Sequence, residues 1–201
     1  MDSLAQREKE KYETLWSSFP EYREASAADL LTPAFLDFFK REVKKGDVVI
    51  DFGCGAGRSA PFLLKAGLKV QLVDFCDSCL DSEIFLQTIG PKSALRFFQE
   101  CLWDLSSHVG PADWILCFDV LEHLPEEKVD AVLHNMASRM KKGGLISIST
   151  REDHHGSSIG ERLHLTVKPA SWWREKAARH FSILRELADD DECLVWALSA
   201  L

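Results

Sequence analysis

Residues 48–59 read VVIDFGCGAGRS, a run of branched apolar residues that ends at an acid and then places three glycines in five positions. The apolar run predicts a buried strand, and the serine and alanine beyond it start a helical pattern. Glycines between a strand and a helix let backbone amides and the helix N-terminus approach a ligand with no side chain in the way. Their conformational entropy is a cost that a plain connecting turn does not require, so the segment reads as a binding loop. The dinucleotide fingerprint G-x-G-x-x-G needs glycine three positions after Gly55, where Arg58 stands. The spacing is instead D-x-G-x-G-x-G, through Asp51, Gly53, Gly55 and Gly57.

From Lys45 onward, short apolar runs alternate with helical patterns, which marks parallel strands joined by crossover helices. The expected strands are DVVID (47–51), KVQLVD (69–74), ALRFFQ (94–99), DWILCF (113–118) and GLISIST (144–150). Helices are expected over 58–67, 78–90 and 126–144, the last reading EEKVDAVLHNMASRMKKGG. The strands are continuously apolar, so the sheet is buried on both faces. A polar, glycine-bearing stretch, 151–170, is too long for an ordinary connection and reads as a binding loop. The helix SWWREKAARHF and the strands SILRELA and ECLVWALSAL complete the chain. Before this unit, residues 1–45 predict a charged helix through Trp16, a break at SSFPEY, and an amphipathic helix starting at Thr32-Pro33 and carrying Phe35, Phe38 and Phe39. Asp47 and the REKEK run at 7–11 read as solvated. The expected organisation is an N-terminal helical extension, 1–45, and one α/β domain, 46–201.

At 201 residues and 46% apolar composition the chain is long enough for one full core. Its formal charge of −8 argues against a polyanionic partner such as DNA or RNA. No apolar stretch is long enough to span a bilayer and the N-terminus is charged, so a cytoplasmic protein without membrane contact is expected. CDSC at 76–79 has the spacing of a redox or zinc pair, but no second pair with ligand spacing follows it. Buried free thiols acting as small apolar groups are the simpler reading of the six cysteines.

DFGCGAG resembles motif I of the class I S-adenosylmethionine-dependent methyltransferases. FFQECLWDL is similar to the segment after their third strand, CFDVLEHLPEEKV to their motif IV region, and MKKGGLISIST to the approach to their fifth strand. The resemblance covers 46–150 and implies a Rossmann-like α/β fold of seven strands in the order 3-2-1-4-5-7-6, strand 7 antiparallel, with helices on both faces. It implies S-adenosyl-L-methionine as cofactor, held by Asp51, Gly53, Cys54, Gly55 and Gly57 of the loop and by Asp74 and Phe75. Asp74, ending strand two, would accept from both ribose hydroxyls, a task suited to two acceptor oxygens. Cys101, Leu102 and Trp103 would line the adenine, and Phe118 and Asp119 would complete the site. Many members have an aspartate where Cys101 stands, and a thiol is a poor acceptor. Either Cys101 only packs there, or the register moves by one to Glu100. In similar enzymes the N-terminal segment closes as a lid, which brings in Tyr12 and Trp16, and Arg23 as partner of the methionine carboxylate.

The reaction so implied is methyl transfer to oxygen or nitrogen of a small molecule, which asks for alignment and exclusion of water more than covalent help. A hydroxyl acceptor also needs a base. His123 is one candidate, although it equally reads as part of the turn that starts a helix; His154 and His155 of the 151–170 loop are the others. Arg151, His164 and Trp172 are expected to touch the acceptor, because ligands bind outside the carboxyl ends of strands. No metal is expected: His154 and His155 are adjacent and cannot easily face one ion, and Asp153, His155 and His164 lack an established ligand spacing. The rivals are an NAD(P)-dependent oxidoreductase, against which Arg58 speaks, and a noncatalytic cofactor binder. The expected state is monomer or homodimer.

Overall fold

The computed structural model describes residues 3–19, 26–90, 93–153, 155–189 and 192–201. Two helices, α1 (Ser3–Ser18) and α2 (Ala28–Phe38), precede the strand β1 (Val48–Phe52). Then come α3 (Ala60–Lys65), β2 (Lys69–Asp74), α4 (Ser82–Thr88), β3 (Leu95–Gln99) and β4 (Ala112–Phe118). The chain ends with α5 (Glu126–Arg139), β5 (Met140–Ser149), α6 (Ala170–Ala178), β6 (Phe181–Asp189) and β7 (Cys193–Ala200). The strands form one seven-stranded sheet in the order β3-β2-β1-β4-β5-β7-β6. β7 runs antiparallel to both neighbours and the other pairs are parallel, as the resemblance implies.

Side chains alternate across the strands, so each strand feeds two cores. Ile50 and Phe52 of β1 join Ile115, Ile146 and Trp196 against Val129, Val132 and Met136 of α5 and Trp173 of α6. Val49, Leu116, Leu145 and Ala197 face the other way, against Phe35 of α2, Leu63 of α3 and Ile84 of α4. A third, smaller cluster ties α1 to the sheet's carboxyl end through Tyr12, Leu15, Cys76, Cys79 and Leu163.

Several boundaries differ from expectation. β5 begins at Met140 rather than Gly144, because residues 140–144 pair with β4, Met140 opposite Ala112 and Gly143 opposite Trp114. Glycine is a poor helix former, and the helical pattern stops at Arg139. α2 begins at Ala28, where Ser26 Oγ accepts from the Ala28 amide at 3.2 Å, and Pro33 lies inside it. The proline loses one helical bond, offset by burial of Ala28, Thr32 and Phe35. α4 is shorter than expected, because Asp81 caps it by accepting from the Glu83 amide at 2.8 Å.

Two segments expected to be solvated are so only in part, Arg7 and Glu10 being exposed but Glu8 and Lys11 buried. Asp47 accepts from the Trp114 indole and from Lys142, both at 2.8 Å. In the REKEK run, Lys11 is buried, ion-paired with buried Glu8, and donates to the Arg162 carbonyl at 3.1 Å. None of the six cysteines is in a disulfide, and the Cys79 sulfur lies 2.7 and 3.1 Å from the carbonyl oxygens of Cys76 and Gly55. Among the described residues no helix is long and apolar enough to cross a membrane.

Candidate active site

The glycine loop leaves β1 at its carboxyl end and is fixed by backbone bonds: the amides of Gly53 and Cys54 donate to the Val73 carbonyl at 2.8 and 3.1 Å. Gly53, Gly55 and Gly57 all have positive φ, 71°, 50° and 78°, which only glycine adopts freely. They do different work. A Cβ on Gly53 would lie 2.5 Å from Val120 and one on Gly55 3.3 Å from the Trp16 ring, both in the walls of a recess. A Cβ on Gly57 would instead meet Leu80 at 2.8 Å and Ile84 at 2.9 Å, in the core beneath the loop.

Asp74 ends β2 and braces this loop. Its Oδ2 accepts from the Gly55 amide and its Oδ1 from the Cys76 amide, each at 3.0 Å. Burial pushes its carboxyl up to about 6, against the amides of Cys76, Gly55 and Phe75 that favour the charged form. Asp51 is also pushed up to about 6, first by burial and then by the Asp74 charge, with the Ser59 hydroxyl bonded to it pulling the other way.

Two adjoining recesses open at this end of the sheet and share Trp16, Gly53, Gly55, Asp119 and His123. The first is completed by Tyr12, Asp74, Phe75, Leu102, Trp103 and Val120 among others. The second is walled by Cys54, Phe118, Glu122, Arg151, Asp153, His155 and His164 among others. Four of the expected contacts lie on neither wall. Asp51 is sealed beneath the loop by Ser59, Gly57 faces the core, and Cys101 is buried behind Leu102 and Trp103. Trp172 packs edge-on against Trp173, with Lys168 and Lys176 over its ring. The alternative Glu100 is also turned away, accepting from the Ser106 amide and hydroxyl at 2.6 and 2.5 Å. Arg23 and His154 lie outside the described residues. Arg58, where the dinucleotide fingerprint needs glycine, forks onto Asp29, with Nε 2.8 and 3.0 Å from its two oxygens.

His123 sits in a short 3-10 turn after β4. Its Nδ1 is 2.6 Å from the Tyr12 hydroxyl and 3.1 Å from the Leu163 carbonyl. Burial, aided by His164, drives its pKa down to about 3, so the ring is neutral near neutral pH and is a weak proton acceptor. Beside it, Glu122 is fully buried and its Oε1 accepts from the Ser149 amide at 2.9 Å. Burial, and then the neighbouring Asp119, raise this carboxyl well above its ordinary value. His164 holds the Arg151 carbonyl through Nδ1 at 2.7 Å, and its ring stands edge-on to His123 with centroids 4.7 Å apart. Asp119 has a positive φ of 52°, a strained backbone for a residue with a side chain, held by its Oδ1 accepting from Ser147 Oγ at 2.5 Å.

A family profile described as a methyltransferase domain matches residues 19–188. The chain belongs to this methyltransferase family. A ubiquinone biosynthesis O-methyltransferase of Coxiella burnetii is 29% identical over 124 residues, 60% of this chain and 51% of that protein. The chloroplastic magnesium protoporphyrin IX methyltransferase of Arabidopsis thaliana is 31% identical over 119 residues, 58% of this chain and 38% of that protein. This chain's match therefore spans about half the length of the first of these relatives and less of the second. Among solved structures, the 1,6-didemethyltoxoflavin-N1-methyltransferase of Burkholderia thailandensis, bound to 1,6-didemethyltoxoflavin and S-adenosylhomocysteine, superposes with a TM-score of 0.67 at 19% identity. The alignment covers 93% of this chain and 87% of that one, and at this identity it speaks to the fold.

For this methyltransferase domain the sequence reading passed over Glu122 and Val120. Glu122 directly precedes His123 in DVLEH, and its only signal was an acid between a leucine and a histidine. Val120 could be found only by building the loop against it.

Proposed function

We propose that the chain is an S-adenosylmethionine-dependent methyltransferase that methylates oxygen or nitrogen of a small-molecule acceptor. The observation that carries this reading is the bare ribbon at Gly53 and Gly55, which faces a recess closed by the Asp74 carboxylate. The residues fit the cofactor. Side chains at Gly53 and Gly55 would fill the space beside Val120 and Trp16, the Asp74 carboxyl lines the same recess, and Leu102 and Trp103 give a flat heterocycle an apolar wall. When bound, S-adenosylmethionine supplies an electrophilic methyl group on a cationic sulfur.

The chain's part is orientation and dehydration. Tyr12 and Trp16 of α1 line the first recess, so we assign α1, within the 1–45 extension, the role of a cover over the 46–201 domain, while α2 packs into the core. Arg151, His155 and His164 face the second recess, where the acceptor would enter. His123 is kept neutral by burial and by His164, is positioned between Tyr12 and Leu163, and shapes the passage between the recesses rather than taking a proton.

Calorimetric titration with S-adenosylhomocysteine tests the reading. One binding site is expected for it and none for NADPH, and Asp74→Ala should weaken it by about tenfold or more, about 1.4 kcal/mol, the worth of a lost charged hydrogen bond. Absence of binding by the unaltered chain overturns the assignment.

A further inference from the structure

Glu122, His123 and His164 bring one ligating atom each to within 4.8 Å of one another in the wall of the second recess. They come from separate parts of the chain. The segment carrying His164 is tied to the turn carrying Glu122 by the Thr166 amide on the Glu122 carbonyl, 2.9 Å, and the Thr166 hydroxyl on the Leu124 carbonyl, 2.6 Å. Both imidazoles are oriented through Nδ1, by the carbonyls of Leu163 and Arg151. A carbonyl only accepts, so a ring that donates to it through Nδ1 leaves Nε2 its lone pair, and at His123 the Tyr12 hydroxyl, 2.6 Å from the same Nδ1, then stands as a second acceptor.

An independent observation comes from Glu122 itself. Its Oε1 has the Ser149 amide, but its Oε2 is completely buried with no hydrogen-bond partner. A buried carboxylate oxygen without a donor is costly unless a cation or proton meets it. The nearby cationic side chains are occupied: Lys11 with Glu8 and the Arg162 carbonyl, Arg151 with Glu192 at 3.0 Å.

We infer that Glu122, His123 and His164 form a binding site for a divalent transition-metal ion, with its open positions facing the second recess. Two imidazoles and a carboxylate without thiolate suit zinc, manganese, iron(II) or cobalt. Bond lengths of about 2.0 Å place tetrahedral ligands about 3.3 Å apart, so from separations of at most 4.8 Å loading draws the atoms together by no more than about 1.5 Å. The set differs from Asp153, His155 and His164, the combination the sequence offers most visibly. If the chain is the methyltransferase proposed above, and the following role rests on that reading, the ion holds the acceptor's hydroxyl oxygen and makes its proton easier to lose. The proton passes to solvent water at the open second recess, and the oxygen takes the methyl group as S-adenosylhomocysteine leaves.

The test uses the full chain, stripped with a chelator and titrated with Co²⁺ and with Zn²⁺, in parallel with S-adenosylhomocysteine. One equivalent of ion is expected, with visible Co²⁺ absorption bands of a nitrogen and oxygen shell of low coordination number. Glu122→Gln, which keeps an acceptor for Ser149, and His164→Ala should each weaken the ion by about tenfold or more and leave S-adenosylhomocysteine affinity within about threefold. No stoichiometric uptake by the unaltered chain overturns the site, as does uptake unchanged in both variants. If one variant misfolds by circular dichroism, the other decides. In the unaltered chain, no ion uptake with S-adenosylhomocysteine binding intact refutes only the metal site, and ion uptake without S-adenosylhomocysteine binding refutes only the transferase reading.

Discussion

Gly57→Ala separates the loop's structural glycine from those that face the recess. At φ 78° an L side chain is strained by about 1–2 kcal/mol. The new methyl would also sit 2.8 Å from Leu80 Cδ1 and 2.9 Å from Ile84 Cγ2. Both are side-chain ends that can yield, so overpacking adds about 1–3 kcal/mol. The stiffer unfolded chain returns about 0.4–1 kcal/mol. The net loss is about 3 kcal/mol, which for a chain of this size lowers Tm by about 6–12 °C. Thermal unfolding followed by circular dichroism measures the loss, and titration with S-adenosylhomocysteine well below the transition should find the affinity within about threefold of the parent. Gly55→Ala should do the opposite, with a smaller drop in Tm and affinity reduced by about tenfold or more, because its methyl enters the recess beside Trp16. The reasoning fails if Gly57→Ala melts within about 2 °C of the parent, given the expected penalty, or if it loses binding while Gly55→Ala keeps it.

Asp51 gives a pH signature. Its folded pKa of about 6 lies above the ordinary 3.8, so its contribution to stability is full below 3.8 and is lost as pH rises through 6. The loss is about 3 kcal/mol by neutral pH. Asp74 adds a slope of the same sign, so Asp51→Asn should flatten, without abolishing, the fall in urea stability between pH 5 and pH 7.5. A variant with the parent's slope contradicts the buried-carboxylate assignment. Trp16→Ala removes the ring over Gly55 and is expected to weaken S-adenosylhomocysteine by about tenfold, given the area such a ring buries. Unchanged affinity would mean that α1 does not cover the cofactor.

What the linear chain determined was the sheet and its binding edge. Short runs rich in branched and aromatic residues at 48–52, 69–74 and 113–118 read as buried strands, and the glycines after the first leave a strip of backbone that a helix start then faces. These are local properties, set by periodicity and by φ preferences, so they survive without knowledge of the rest. Docking decided the remainder. Gly55 and Gly57 have the same spacing signal, but only the placement of Trp16 and of Leu80 shows that one looks into the recess and the other into the core. Tyr12 meets His123 across 111 positions, and His123 meets Leu163 across 40. Glu122 became a candidate ligand only when the Thr166 bonds brought His164 alongside it. Contacts between distant segments follow from how whole faces pack. A pattern along one segment reports which side is buried, and it carries no information about what lies opposite.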